Sequence, residues 1–296
     1  MKLFLRYIVL IFCIFSINTS VLKSDITFKG TSRGYIPRVL HHIYWPWSKD
    51  KSIDRRRFEV WSTCRNSCIT RCQGFQYILW NETMIEDVIR QDYPDLFDLY
   101  RSYTYDIQRC DVARYVIMHK YGGIYLDMDD CCRVNLEYLL SNIERANATV
   151  ALPNVLPFGT GNDIIVSTPR NSFFSYAIVC LRQANKWYVT HYFTILFSTG
   201  TAYLSNRRLE YERSRSDVIF YLINLKERYE RYLYRESGST WHEIDGDIIV
   251  HVYNYLYSYA FLSLFVMAFL VLRKNKRFCS IKNCLIKRAC TWFRYE

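Results

Sequence analysis

Short apolar runs alternate along the chain with segments whose apolar residues recur at helical spacing. Ile36–Tyr44, Phe75–Trp80 and Ile124–Leu126 are apolar runs of strand length. Ile107–Tyr121 carries its apolar residues on one side of a helix, and the charged, tyrosine-rich stretch Ser205–Glu236 predicts one helix or two. Because strands alternate with helices, the pattern predicts an α/β domain with a largely parallel sheet.

Capping and turn residues indicate where the predicted helices begin and end. Asn81 or Thr83 is expected to cap the helix after the second strand, and Pro94 to open the next helix. The glycine pair Gly122 and Gly123 is expected to end the helix before it and to turn the chain back into a strand.

The N-terminal end carries an apolar run that follows basic residues. Tyr7–Ile17 alone is too short to cross a bilayer and is typical of a signal peptide. Counted as Leu3–Leu22, the same run has the length of an uncleaved anchor. Residues 1–23 are therefore predicted to be a signal peptide or a signal anchor, and either one directs the chain into the secretory pathway.

The C-terminal end carries a longer apolar segment, Tyr253–Leu272, which covers about 30 Å as a helix. A basic cluster begins at Arg273, and the positive-inside rule places such a cluster in the cytosol. The sequence predicts a transmembrane helix over 251–273 and a cytosolic tail over 274–296. Residues 24–250 are then the lumenal domain.

Composition and charge narrow the possible partners. Half of the residues are hydrophobic and 17% are aromatic, which excludes global disorder, and the formal net charge is +11. A basic chain suits anionic lipid head groups, phosphorylated substrates or nucleic acid. No zinc-finger spacing or RNA-binding signature is present, so a nucleic-acid partner is not expected.

Cysteines and glycosylation sequons fit a lumenal domain. Cys64, Cys68 and Cys72 recur every four residues, and a disulfide from this group is favoured over a zinc site because no second ligand pair follows. The candidate disulfide partners are Cys110, Cys131 and Cys132. Sequons occur at Asn18, Asn81 and Asn147.

The segment from Cys110 to Asp130 carries the candidate chemistry. Asp127 and Asp129 follow a strand, at the edge where open α/β sheets bind ligands. Residues two apart on a strand point the same way, so these carboxylates would repel each other until a divalent cation lies between them. Mn²⁺ or Mg²⁺ prefers such oxygen ligands and can bridge them to a diphosphate. Asp130 adds a third carboxylate whose direction the pattern leaves open.

An Asp-x-Asp pair taken alone is more often a solvated acidic turn, so the neighbouring residues decide its meaning. A helix, a turn and a strand end supply further motif positions, which are Asp111, Arg114, Tyr115, Tyr121, Gly122, Gly123, Tyr125, Asp127 and Asp129. This order of Asp-x-x-Arg-Tyr, Tyr-Gly-Gly and Tyr-x-Asp-x-Asp resembles the sugar-binding region of the DXD glycosyltransferases. That family includes initiating α-1,6-mannosyltransferases and inositol-phosphoceramide mannosyltransferases.

The resemblance extends over most of residues 36–246. Matching stretches are Ile36–His41, Gly161–Asp163, Ser198–Thr201 and Ser239–His242. The chain departs from the family at Tyr44, where a tryptophan is usual, although Trp45 follows at once. The proline of the family's Thr-Gly-Pro turn is also replaced, by Thr201.

The resemblance implies a GT-A type, Rossmann-like fold, a nucleotide-sugar donor and retention of anomeric configuration. It implies that the donor sugar lies against Asp111, Arg114, Gly122 and Gly123. The implied nucleotide contacts are Tyr44, Trp45 and Asp127. Asp127 and Asp129 are the implied catalytic residues, and the implied ligands of Mn²⁺ or Mg²⁺ are Asp127, Asp129 and His242. His41 and His42 are expected to be structural.

The functional hypothesis is transfer of a hexose to a membrane glycolipid in the Golgi or the endoplasmic reticulum. GDP-mannose is the first donor and inositol phosphoceramide, a sphingolipid, is the first acceptor. One alternative is a transferase that modifies glycoprotein glycans with a GDP- or UDP-sugar. Another is a non-catalytic lumenal binding protein built on a transferase fold.

Overall fold

The computed structural model describes residues 35–45, 51–155 and 159–236, with positions 246, 248, 251, 255, 259, 261–267 and 269–270. The α-helices are α1 (Lys51–Arg71), α2 (Glu82–Asp92), α3 (Pro94–Ser102), α4 (Asp106–Tyr121), α5 (Glu137–Arg145), α6 (Ser172–Ala184), α7 (His191–Ser198) and α8 (Thr201–Ser214). The strands are β1 (Val39–Ile43), β2 (Gln76–Trp80), β3 (Gly123–Leu126), β4 (Asp130–Cys132), β5 (Val150–Val155), β6 (Gly159–Thr160), β7 (Ile164–Ser167), β8 (Phe220–Ile223) and β9 (Leu233–Arg235). A π-helical segment spans Glu227–Tyr232.

The main sheet has the strand order β2-β1-β3-β7-β5-β6, with β8 paired to β5. The pairs β1/β2, β1/β3 and β5/β8 are parallel, whereas β3/β7, β5/β7 and β5/β6 are antiparallel. The α/β class is confirmed, but the prediction of a largely parallel sheet was wrong. The loops from β5 through β6 to β7 are only a few residues long, too short for the crossover that a parallel pair requires.

Side chains of the sheet alternate between two hydrophobic layers, as a strand period of two requires. On β3, Tyr125 packs into the layer formed with α4 and α6, while Ile124 and Leu126 pack into the layer formed with α1 and α5. The sheet thus lies between two helical layers. Because β1 and β3 are parallel neighbours, the residues that follow them meet at one edge of the sheet.

The helices begin and end at the capping and turn residues that the sequence predicts. Asn81 caps α2 by accepting a hydrogen bond from the Met84 amide at 2.9 Å, and Pro94 is the first residue of α3. Gly122 ends α4 at φ 64°, and a Cβ there would lie 2.6 Å from the backbone nitrogen of Pro169. At Gly123, where φ is 89°, a Cβ would lie 2.5 Å from a β1 carbonyl oxygen. Both positions therefore require glycine for β3 to enter between its neighbours.

The stretch Ser205–Glu236 differs from the prediction of one or two helices. Helix α8 ends at Ser214, and β8, the π-helical segment and β9 follow. β8 pairs in parallel with β5, and β9 pairs with β4. Pairing with distant strands overrides the local helical pattern in this part of the chain.

Two disulfides connect α1 to β4, and they join Cys64 to Cys131 and Cys68 to Cys132. This confirms disulfide bonding of the cysteine group and decides the partners that the sequence left open. Cys72, the third member of the group, is a buried free thiol. The crosslinked strand β4 begins at Asp130, so the disulfides anchor the chain directly after the Asp-x-Asp pair.

None of the helices within the described ranges is both long and apolar enough to cross a membrane. The predicted N-terminal segment 1–23 and the tail 274–296 lie outside the described residues, and so does much of 253–272. The described positions of 261–267 are helical and exposed, and Phe261 and Leu264 are among them.

Candidate active site

The Asp-x-Asp pair lies in a tight turn directly after β3. The Asp130 amide donates to the Asp127 carbonyl at 3.1 Å, and the Asp127 amide donates to the Asp163 carbonyl at 2.9 Å. The premise that Asp127 and Asp129 point the same way because they share a strand was therefore wrong, since β3 ends at Leu126. A run of aspartates favours such a turn because their side chains compete with the ladder for backbone partners.

Asp127 faces the helix α4 side of the turn. Its Oδ1 accepts from Tyr125 OH at 2.7 Å and pairs with Arg114 Nη2 at 3.0 Å. Both protein donors use the same oxygen, so within the described part of the chain Oδ2 has no donor. The side chain is 23% exposed, which leaves that oxygen accessible to a ligand.

Asp111 is buried and holds three protein donors. Its Oδ1 accepts from Asn162 Nδ2 at 2.8 Å and pairs with Arg114 at 3.2 Å, and its Oδ2 accepts from Thr199 Oγ1 at 3.0 Å. A carboxylate offers about four acceptor positions. One position therefore stays open for a further donor, such as a sugar hydroxyl.

Arg114 joins the two carboxylates. Besides its ion pairs with Asp111 and Asp127, its Nε donates to Tyr125 OH at 3.0 Å and its Nη1 donates to the Asn162 carbonyl at 3.3 Å. The i,i+3 spacing of Asp111 and Arg114 on α4 puts both on one helix face, as predicted. We call Asp111, Arg114, Tyr125 and Asp127 the donor cluster.

A second charged cluster lies on the other side of the turn. Asp130, which is fully buried, pairs with Arg228 at 2.9 Å and with Arg235 at 3.0 Å. Asp163 Oδ2 accepts from the same two guanidinium groups at 2.5 and 2.6 Å, and Asp129 Oδ2 lies 3.5 Å from Arg235. We call these five residues the anchor cluster, because they bind the turn to the π-helical segment and to β9.

Burial and neighbouring charge set the protonation of these carboxylates. Burial raises the pKa of Asp111 to about 6, although Arg114 beside it acts in the opposite direction. Burial also raises the pKa of Asp127 to about 6, and the negative charges of Asp129 and Asp163 add to that rise. Although burial opposes it, the guanidinium groups of Arg228 and Arg235 hold the pKa of Asp163 well below its usual range.

The two clusters together fit a divalent cation. They hold five carboxylates against three guanidinium groups, so two negative charges remain when all are ionised. Asp163 Oδ1 is buried without a hydrogen-bond partner, and Asp127 Oδ2 has no protein donor. Hard cations prefer such oxygen ligands. Within the described ranges, no group of three or more His, Cys, Asp and Glu side chains is arranged to hold a metal ion. The fit to a cation therefore rests on the two oxygens without donors, Asp127 Oδ2 and Asp163 Oδ1.

The structure does not bring every predicted site residue to the turn. Gly123 and Gly122 lie at the opposite end of β3 from Asp127, about 13 Å and about 17 Å away along the strand. Trp45 follows β1 but is buried in the core, with the Arg109 guanidinium 5.5 Å from its ring centroid. Tyr44 is half-buried and contacts Phe58 edge-on. His242, the third predicted metal ligand, lies outside the described residues.

His41 holds the glycine turn in place, as a structural histidine would. Trp80 Nε1 donates to His41 Nδ1 at 3.1 Å, so the ring proton lies on Nε2, which donates to the Gly122 carbonyl at 2.9 Å. Burial lowers the pKa of His41 to about 4, which keeps the ring neutral. His42 is also fully buried, and its Nδ1 lies 3.0 Å from Tyr77 OH.

Sequence reasoning missed Arg228 and Arg235. Both lie in a stretch with several arginines, and nothing in their spacing separates these two from Arg231, whose side chain is exposed. Only the pairing of β9 with β4 brings them to Asp130. Thr199 and Asn162 did carry a signal, because each lies in a stretch that resembles the family.

Comparisons with known proteins agree with this geometry. Residues 59–147 match the family model described as a glycosyltransferase sugar-binding region containing a DXD motif. Inositol phosphoceramide mannosyltransferase 1 of Schizosaccharomyces pombe is 32% identical, over 88% of this chain and 79% of that protein. Mannosyl phosphorylinositol ceramide synthase CSH1 of Saccharomyces cerevisiae is also 32% identical, over 83% of this chain and 63% of that protein.

Among solved structures, the PaToxG glycosyltransferase is similar with a TM-score of 0.41 and 13% identity, over 60% of this chain and 70% of that one. The sequence relatives, and not this structural similarity, show the family of the chain. The chain belongs to the family of DXD glycosyltransferases that includes the inositol phosphoceramide mannosyltransferases.

Proposed function

We propose that this protein transfers mannose from GDP-mannose to inositol phosphoceramide, with retention of configuration, on a GT-A type fold. The observation that carries the proposal is the similarity to inositol phosphoceramide mannosyltransferase 1 of Schizosaccharomyces pombe, which is 32% identical over 88% of this chain. The donor cluster supports it, because the motif residues Asp111, Arg114 and Asp127 contact one another.

Asp111 and Arg114 are proposed to hold the donor sugar. Asp111 keeps one acceptor position open, and Asn162, Thr199 and Arg114 fix the direction in which that position points. A carboxylate whose other positions are satisfied is a rigid acceptor for a hydroxyl group. Such preorganised contacts orient the anomeric carbon at no further entropic cost.

Asp127 and Asp129 are proposed to hold Mn²⁺ or Mg²⁺ against the donor's diphosphate, with His242 as a further ligand. A bound divalent cation neutralises the charge that develops on the leaving diphosphate. Arg114 fixes the Asp127 carboxylate through Oδ1 and leaves Oδ2 for this role. Tyr44 is the proposed contact of the nucleotide, because it is half-buried and follows β1 at the sheet edge where Asp127 follows β3, whereas Trp45 is buried in the core.

Retention is proposed to proceed on one face of the sugar, with the leaving diphosphate assisting the acceptor hydroxyl. Each described carboxylate of the two clusters is already paired with an arginine, which supports a route without a carboxylate nucleophile. Mass spectrometry of the protein quenched during turnover tests this, since a trapped glycosyl–enzyme would refute the proposed route.

The acceptor is proposed to be a lipid presented at the lumenal face of the Golgi membrane. The net charge of +11 suits an anionic inositol-phosphate head group. Two disulfides beside the site support an oxidising compartment. The exposed apolar helix at 261–267 supports contact with lipid near the C-terminus.

Assay of the full-length protein with labelled GDP-mannose and inositol phosphoceramide in mixed micelles tests the proposal. UDP-galactose, UDP-N-acetylglucosamine and a glycoprotein glycan acceptor are the comparison arms. The expected product is mannosylated inositol phosphoceramide, and chelation of divalent cations should abolish its formation. Transfer only from the UDP-sugars would refute the mannose assignment, and transfer only to the glycan would refute the lipid acceptor.

A further inference from the structure

The loop between α6 and α7 exposes large apolar side chains that the proposed chemistry does not use. We call Asn185–Thr190 the tryptophan loop. Trp187 is 63% exposed and Val189 is 78% exposed, the highest value of any large apolar side chain among the described residues. Exposed aromatic and branched side chains at one loop tip are a recurring sign of an interaction site.

Backbone hydrogen bonds hold the tryptophan loop in this form. The Lys186 amide donates to the Ala184 carbonyl at 2.9 Å, and the Thr190 amide donates to the Tyr188 carbonyl at 2.8 Å. The second bond closes a γ-turn around Val189, whose φ of 71° is rare for a β-branched residue. The Tyr188 amide also donates to Thr194 Oγ1 at 3.0 Å. The loop is thus fixed in a strained form that keeps Trp187 and Val189 in solvent, and such strain is concentrated at functional sites.

Aromatic rings continue from the loop along α7. Tyr188 lies 5.6 Å from Phe197, and Phe193 lies 5.9 Å from the same ring. Tryptophan and tyrosine, with an apolar body and a polar tip, are the residues that prefer the interface between membrane and water.

The charge around the loop favours an anionic surface. Residues 164–209 contain no aspartate or glutamate. Arg182 and Lys186 are exposed beside the loop, and neither forms an ion pair with any described residue. Arg182 Nη2 donates to the backbone carbonyl of Asp95 at 3.0 Å. A basic and aromatic surface complements the anionic lipid head groups of a bilayer.

From these observations we infer that the tryptophan loop inserts into the surface of an anionic bilayer and sets the donor cluster close to it. Helix α7 runs from the loop to Thr199, whose hydroxyl donates to Asp111. The helix has eight residues, so the loop lies about 12 Å from that contact along the axis of α7. The role in presenting a lipid acceptor rests on the proposed function, whereas the membrane contact itself does not.

Quenching of Trp187 by brominated lipid tests the contact on the full chain. The protein is bound to phosphatidylcholine vesicles with and without phosphatidylinositol, and the emission of Trp187→Phe is subtracted from that of the wild type. Subtraction isolates this ring, so other tryptophans and other membrane-directed segments cancel. We expect loss of the difference emission with brominated lipid when phosphatidylinositol is present. The inference would be overturned if brominated lipid left the difference emission unchanged while aqueous iodide quenched it. The same result is expected if the loop binds a protein partner instead of a bilayer.

Activity separates this inference from the proposed function. Lys186→Glu is expected to reduce transfer to inositol phosphoceramide in vesicles at least about fivefold, the effect of one surface charge near anionic lipid. Hydrolysis of GDP-mannose without acceptor should not change. Lys226→Glu, which reverses the charge of an exposed lysine just before the π-helical segment, is the matched control and should leave vesicle transfer unchanged. If the wild type transfers no mannose while Trp187 is still quenched, the proposed function fails and the membrane contact stands.

Discussion

The donor cluster and the anchor cluster lie on either side of one turn, and they use arginine differently. In the donor cluster a single guanidinium group, that of Arg114, serves two carboxylates and leaves an acceptor position open on each. In the anchor cluster Arg228 and Arg235 surround Asp130 and take up Oδ2 of Asp163 as well. The first arrangement leaves an acceptor position open on both of its carboxylates, whereas the second pairs the buried Asp130 with two arginines and leaves only Oδ1 of Asp163 without a hydrogen-bond partner among the described residues.

This difference separates activity from stability. Removing a group from the donor cluster should weaken the binding of substrate or cation while the fold persists. Removing an arginine from the anchor cluster should leave the buried Asp130 short of a partner, which destabilises the fold strongly. The following experiments test whether the two clusters can be separated in this way.

Arg228→Met should give the largest effect on the free energy of unfolding. Asp130 is fully buried and would lose one of its two arginines, so we expect a loss of about 3–5 kcal/mol. Thermal or urea unfolding of the full chain measures this. Arg231→Met in the same π-helical segment, where the side chain is exposed, is the matched control. An equal effect of both substitutions would show that the buried charge is not the cause.

Removal of both disulfides should cost about 4 kcal/mol, because each closes a loop of 64 to 67 residues in the unfolded chain. Removal of either one alone should cost about 1 kcal/mol or less, since the remaining disulfide still closes nearly the same loop. Paired Cys→Ala variants measured by unfolding test this, with Cys72→Ala as the control for loss of a buried sulfur. Two equal and additive losses would contradict the shared-loop argument.

Asp127→Asn should reduce kcat/KM by about 10²–10³, or about 3–4 kcal/mol in transition-state stabilisation, because the charge that faces the proposed cation is lost. Unfolding should change little, since an asparagine oxygen still accepts from Tyr125 OH. Asp98→Asn, on the exposed face of α3, is the matched control. A large loss of stability without a change in the rate of the remaining folded protein would place Asp127 with the anchor cluster.

The comparison also shows what sequence alone could predict. Asp111, Arg114, Tyr125 and Asp127 lie within one segment, so helix spacing and the glycine turn suffice to bring them together. The elements around them were predicted for the same reason, because caps such as Asn81 and Pro94 act over a few residues. The α/β class followed from that local alternation.

The anchor cluster was not predictable because its contacts span long distances along the chain. Arg228 and Asp130 are 98 residues apart, and they meet where the π-helical segment leads into β9, the partner of β4. The antiparallel strands β6 and β7 were missed for a related reason, since short connections rather than residue patterns decide their direction. The premise that Asp129 points the same way as Asp127 was wrong for a different reason. A backbone hydrogen bond converts the end of the strand into a turn.

The smallest effect is expected for Thr199, which contacts Asp111 of the donor cluster from 88 residues away along the chain. Thr199→Val keeps the volume but removes the hydroxyl that donates to Asp111 at 3.0 Å, so donor KM should rise about tenfold, or about 1.5 kcal/mol. Burial already raises the pKa of Asp111 to about 6, and Thr199 opposes that rise because its hydrogen bond favours the ionised form. Donor KM should therefore rise as pH falls through about 6 in the wild type, and this midpoint should move to higher pH in Thr199→Val. Thr199→Ser restores the donor group and should restore both values. A tenfold rise in donor KM that is the same at every pH would mean that Thr199 acts through packing alone and does not influence the protonation of Asp111.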